Sequence, residues 1–175
     1  APQVGDVLTI NEKSRVEKMF YFLQRQMEKR KKHYSVNGGS FENDVKNGKS
    51  IFPNILVMIN GVDVFKEQFE NIYDEFLGPF TRECNRYGIT VLLTGVSTSL
   101  GYVIESNFKS TIALKLADSS DYSYIFSQRD IIPNDNPGRG IIKILDTAYE
   151  FQTSLIFDYN SYDEKINYII SELSK

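Results

Sequence analysis

Apolar residues fall along this chain in two rhythms, one helical and one continuous. Over residues 12–33, Val16, Met19, Phe20, Leu23 and Met27 recur at helical spacing, with Glu, Lys, Arg and Gln between them. That spacing predicts a long amphipathic helix. Residues 38–50 (GGSFENDVKNGKS) are polar and glycine-rich and predict an exposed loop. The run 55–59 (ILVMI) is apolar throughout and ends at Asn60-Gly61. From Phe65 the helical rhythm returns, with Phe69, Ile72, Tyr73, Phe76, Phe80, Cys84 and Tyr87 on one broad stripe. Gly78-Pro79 is expected to kink or split that helix, because proline lacks an N–H and clashes one turn back. Gly88 is placed to stop it.

A second continuous run, 89–94 (ITVLLT), follows. Beyond it the pattern predicts a short helix at 98–107, a strand at 111–116 and a helix at 119–127. A loop at 133–140 then leads to strands at 141–145 and 154–157. Ser161 and Glu164 form a capping box, opening a helix expected to bury Ile166, Ile169, Ile170 and Leu173. Strands that are apolar throughout, separated by helices, predict an α/β fold with a mostly parallel sheet covered by helices on both faces. Asn60-Gly61 also admits a β-hairpin turn, with 62–65 as the returning strand. Helical rhythm resumes at Phe65, which leaves that strand too short, so the parallel reading is preferred.

At 175 residues the chain is expected to form a single domain, 1–175, with a real core. It is 41% hydrophobic and 25% charged, with a net charge of −3, so no global field draws it to nucleic acid or to an anionic membrane. The basic run Lys29-Arg30-Lys31-Lys32 reads as a solvated helix end that complements the helix dipole, and Arg82 and Arg86 read as solvated. Cys84 is the single cysteine, which excludes an internal disulfide and a cysteine-rich zinc site, and its place on the apolar stripe predicts a core role. His33, the single histidine, is expected to face solvent, and no metal site is predicted. There is no signal peptide and no apolar run near the ~18 residues of a membrane span. A cytosolic domain, in a reducing compartment, is therefore expected.

Ligands of open α/β sheets bind just beyond the C-terminal ends of the strands. Asn60-Gly61 and Thr94-Gly95 stand at two such ends. Strand, acid position, helix, strand and polar residue is the layout of the second half of a P-loop NTPase core. There an acid helps hold Mg²⁺ and a neighbouring Glu polarises the attacking water.

The stretches ILVMINGVDVFKEQF, FTRECNRYGITVLLTGVSTSL, NFKSTIALKLADSSDYSYIF and PGRGIIKI, in that order, resemble the FtsK/SpoIIIE/HerA motor family. Within it they are most similar to the membrane-bound coupling ATPases of bacterial type VII secretion, the EssC/EccC family. The opening APQVGDVLTINEKSRVEKMFYFLQRQMEKRK resembles the segment that follows the P-loop part of a module in those tandem ATPases. The match covers nearly the whole chain, and order and spacing carry it rather than any one motif. It implies a RecA-like P-loop NTPase core lacking its N-terminal P-loop portion. No GxxxxGK[ST] occurs, and Gly38-Gly39-Ser40 lacks the lysine, so the chain is expected to begin downstream of its P-loop. ATP and Mg²⁺ are implied for the full module, and no cofactor for this chain alone.

By the same resemblance, Asn60 stands at the Walker B aspartate, and an amide brings no charge to a hard cation. Gly61 stands at the catalytic Glu, and Gly95 lies near a sensor Gln. Asp63 keeps a carboxylate two residues on, although an exposed loop acid capping the next helix is the plainer reading. Asn60, Asp63 and Thr94 are the nucleotide-binding candidates, and no catalytic residue is assigned.

The last ATPase module of the resembled proteins is implicated in recognising secreted WXG-type helical substrates through a C-terminal signal. The changes at Asn60-Gly61 and the capped final helix resemble that module. The implied partners are such substrates, neighbouring ATPase modules of the same chain, and a hexamer of the full protein, with no nucleic acid. The implied location is the cytoplasmic domain of a bacterial cell-membrane protein. Tyr122, Tyr124 and Phe126 are substrate-pocket candidates, weighed against core packing. Arg139, in a loop before a strand, is an inter-module arginine candidate, weighed against pairing with a surface acid. Three readings follow. The preferred one is a secretion-coupling module, weak or inactive in hydrolysis, that acts through substrate recognition and regulation of the motor. The alternatives are an ATP-hydrolysing translocase module whose Walker A lies upstream and a DNA-translocating FtsK-type motor segment. The acidic balance counts against the last.

Overall fold

The computed structural model describes residues 4–96, 100–128, 131–144, 147–154 and 161–173. Helix α1, Lys13–Asn37, buries Val16, Phe20, Leu23, Met27 and Arg30. The basic run is therefore not wholly solvated, since Arg30 is only 1% exposed. Its guanidinium donates to the carbonyls of Tyr87 (2.7 Å), Gly88 (3.2 Å) and Pro53 (2.9 Å). It also lies 5.2 Å from the ring centroid of Phe52. Burial lowers its pKa from the usual arginine value. His33 is also partly buried, edge-on to Tyr34 and Phe52, rather than facing solvent.

The expected loop at 38–50 contains a helix, α2, Phe41–Lys46. Ser40 caps it by accepting the Asn43 N–H at 3.3 Å, and Phe41 is buried. The capping geometry and one aromatic anchor outweigh the polar, glycine-rich composition here.

Strands β1, Ile55–Asn60, and β2, Ile89–Thr94, pair in parallel from Ile55↔Ile89 to Asn60↔Thr94. No hairpin forms at Asn60-Gly61. Gly61 alone is left-handed, at φ 76°, and it opens helix α3, Val62–Gln68. Val57, Ile59 and Ile89 point into the main core with the α1 stripe and the aromatic helical stripe. The opposite face is open, with Leu56 61% and Met58 65% exposed. The expected cover on both faces is thus present on one.

After α3 the chain continues through a π turn, Ile72–Leu77, helix α4, Gly78–Glu83, and a 3₁₀ turn, Cys84–Tyr87. The break lies at Phe69, where φ is −132°, not at Gly78-Pro79. Gly78 is itself helical, and Pro79 sits in the first turn of α4. There its missing N–H costs least. Gly88 ends the run at φ 71°, as expected. Cys84 is 2% exposed in the core, and burial pushes its thiol pKa up to about 11.

Helix α5 is a single turn, Tyr102–Glu105, within the expected 98–107, of which 98 and 99 lie outside the described residues. Strand β3, Thr111–Ala113, is shorter than predicted. Asp118 caps helix α6, Ser119–Phe126, by accepting the Ser120 N–H. Strands β4, Arg139–Ile144, and β5, Thr147–Gln152, complete a second sheet, in which β3, β4 and β5 pair antiparallel in that order. The α/β expectation thus holds for the parallel pair with its helices, while the later strands pair antiparallel in their own sheet. Strand β5 replaces the strand predicted at 154–157; Ser154 is not in a strand, and 155–157, like Leu145, fall outside the described residues. Helix α7, Tyr162–Leu173, begins at Ser161, whose hydroxyl accepts the Glu164 N–H. It buries none of its residues. Ile170 is 51% and Leu173 47% exposed, because no described element covers the apolar face.

Candidate functional site

Parallel pairing in full register sets the last residues of β1 and β2 side by side. Asn60 and Thr94 point to the open face of the sheet, and Thr94 Oγ1 donates to Asn60 Oδ1 at 2.5 Å. The Gly61 N–H is shared between Thr94 O (3.1 Å) and Thr94 Oγ1 (3.2 Å). The left-handed turn at Gly61 then directs the chain into α3, whose first turn carries Asp63. Asp63 Oδ2 accepts the Val96 N–H at 3.1 Å. A side chain at Gly95 would meet that oxygen at 2.9 Å and Val62 Cγ1 at 3.0 Å. Gly95 is therefore what lets β2 exit against the start of α3.

Asn60, Gly61, Asp63 and Thr94 are thus gathered at one place. Their donors and acceptors are spent largely on one another: amide on hydroxyl, carboxylate on backbone N–H. Nearby, Tyr73 donates its hydroxyl to the Leu100 carbonyl. Burial, and then the charges of Asp74, Asp63 and Glu105, raise its pKa, which keeps that donor protonated. Among the described residues, no group of three or more His, Cys, Asp or Glu is placed to hold a metal ion.

The other candidates lie apart. Arg139 is the first residue of β4 rather than a loop residue, with Nε 3.4 Å from Glu150 Oε1. Tyr122 and Phe126 are buried beneath the antiparallel sheet with Ala113 and Ile141. Tyr122 Oη donates to the Leu114 carbonyl (2.7 Å) and accepts the Leu116 N–H (2.9 Å). Tyr124 is 64% exposed. On a helix, residues 122 and 126 share a face and 124 does not, so the three line no common pocket. Sequence reading missed the roles of Gly95 and of the Val96 N–H. A glycine directly after the polar residue that ends an apolar strand was the available signal.

No protein-family model matches the chain. The chain is 26% identical over 183 residues to the type VII secretion system protein EssC of Staphylococcus aureus (strain MRSA252); the match covers 99% of this chain and 12% of that protein. It is 24% identical over 146 residues to the ESX secretion system protein EccC of Geobacillus thermodenitrificans, covering 81% of this chain and 10% of that protein. The solved structure of EssC (ATPases 2 and 3) from Geobacillus thermodenitrificans superposes with a TM-score of 0.79 at 26% identity, covering 94% of this chain and 31% of that one. The chain therefore spans a small part of the proteins it matches. With the strand-end geometry preserved in full parallel register, this protein is homologous to the ATPase domains of the EssC and EccC proteins of type VII secretion systems.

Proposed function

We propose that this chain acts within a type VII secretion coupling ATPase as a domain that keeps the ATPase fold without hydrolysing ATP, and that it works by recognising secreted helical substrates and regulating the motor. The observation that carries this reading is the Asn60–Thr94 hydrogen bond at the strand ends. An ATPase domain needs an anionic oxygen there for Mg²⁺. Asn60 supplies a neutral amide, Gly61 supplies no side chain, and the Asp63 carboxylate is engaged by the Val96 N–H. The residues present therefore do not fit Mg²⁺-ATP, and the strand end reads as a degenerate Walker B. Partner recognition fits a domain that retains its core and exposes apolar surface, such as Leu56, Met58, Ile170 and Leu173. The homology places such a domain beside other ATPase modules and on the cytoplasmic side of a membrane protein. Among the described residues, no helix is long and apolar enough to cross a membrane.

The test is Asn60→Asp in the full-length protein that carries this sequence, with export of a WXG-type substrate as the readout. Unchanged export is expected. A large gain or loss would show that the strand end is not idle and would favour the ATP-hydrolysing reading. In parallel, titration of this chain with such a substrate, with and without its C-terminal segment, should show binding only when the segment is present.

A further inference from the structure

Lys29 and Lys32, on the exposed face of α1, and the segment 51–53 enclose a cavity of about 550 Å³ that the strand-end site does not touch. Its floor is Phe52 and its rims carry Val36, 74% exposed, and Ile51, 66% exposed. No carboxylate lines it. Beneath and beside the Phe52 ring stand two cations, Arg30 at 5.2 Å and Lys29 at 5.9 Å. Arg30 is satisfied by three backbone carbonyls, which cancel none of its charge. Among the described residues, none of Lys29, Arg30 and Lys32 pairs with a carboxylate, whereas Lys31, on the other side of the helix, pairs with Glu83 at 2.5 Å. A chain with net charge −3 thus concentrates uncompensated positive charge around one concave, half-apolar surface.

We infer that this groove docks an acidic linear peptide segment of a partner protein, with carboxylates against Lys29 and Lys32 and an apolar side chain between Val36 and Ile51. Complementary charge selects and steers such a segment, and an extended chain offers carboxylate and apolar side chains in alternation. Nucleic acid fits less well. The net-negative protein repels a polyphosphate, and His33 already meets the Phe52 ring edge-on at 5.3 Å. A bilayer surface does not enter a concavity.

The test uses a fluorescein-labelled peptide of alternating Glu and Leu, with a Gln/Leu peptide, oligo-dT and phosphatidylglycerol vesicles as comparators. Anisotropy measures affinity and ¹⁵N NMR locates the contact. The expected result is binding of the Glu/Leu peptide, with shifts confined to 26–37 and 51–53. Affinity should fall about tenfold or more in Lys29→Glu/Lys32→Glu, as expected for lost charge pairs, with the thermal midpoint unchanged. Any one of four results overturns the inference: equal binding of the Gln/Leu peptide, preference for oligo-dT or vesicles, no binding at all, or full affinity in the charge-reversed variant.

Discussion

Thr94 donates its hydroxyl proton to Asn60 across the ends of the two parallel strands, at 2.5 Å. An aspartate at position 60 offers the same acceptor oxygen. Asn60→Asp is therefore expected to change folding stability by less than about 1 kcal/mol. Thr94→Val, which loses both this bond and the one from the Gly61 N–H, should cost about 1–2 kcal/mol. Urea denaturation of the two variants checks the order. A larger loss in Asn60→Asp would mean that the pocket rejects negative charge.

Arg30 ties α1 to the carbonyls that precede both parallel strands. Arg30→Met leaves those carbonyls without their charged donor, and a loss of about 3 kcal/mol is expected. Arg30→Lys should recover only part of it, because an ammonium cannot reproduce the two-armed guanidinium fork. A lysine variant as stable as the parent would show that charge alone is what this position requires.

Gly61 and Gly88 are both left-handed, at φ 76° and 71°, yet their surroundings differ. A Cβ at Gly61 meets nothing within 4 Å, whereas one at Gly88 would lie 2.4 Å from Phe41 Cζ. Gly61→Ala should cost about 1 kcal/mol, the backbone penalty alone. Gly88→Ala should cost about 2 kcal/mol more, since the Phe41 ring has to move. Paired thermal melts give the difference directly, and equal losses would contradict the packing.

Cys84 carries a folded-state pKa of about 11 against an ordinary 9.0. Because the folded value is raised, this thiol's contribution to stability is full below about pH 9 and is lost as pH rises through about 11. Stability of the parent should therefore fall more steeply over that window than stability of Cys84→Ala. Under native conditions the thiol should react with a maleimide only as fast as the protein unfolds. Rapid labelling of the folded chain would place Cys84 outside the core.

Much of the fold was legible because its signals are local. Two continuous apolar runs marked β1 and β2, and Gly88 marked the end of the helical stretch. The strand-end candidates were legible for the same reason, since Asn60 and Thr94 need only the parallel register to meet. Other features depended on partners far along the chain. Ile141–Ile142 reads as a doubly buried strand, yet β4 pairs antiparallel with β5, and composition does not name a partner. Tyr122 and Phe126 could not be told from pocket residues until their face of α6 was known. Arg30 is different, because its position was readable. The buried series Val16, Phe20, Leu23 and Met27 steps by four, three and four, and the next step of three lands on Arg30. The letter's charge concealed what the spacing already stated.

The π turn at Ile72–Leu77 has a consequence for chain length. A π turn takes up one residue more than the α turn it replaces. Removing a single residue there would restore an unbroken α ladder and rotate everything after it by about 100°. Phe80 and Cys84 would then swing out of the core that they now fill at 1% and 2% exposure. The turn thus behaves as a phase adjuster between two buried faces. Insertions and deletions between Phe69 and Phe80 should therefore be tolerated only in combinations that return Leu77, Phe80 and Cys84 to the same side.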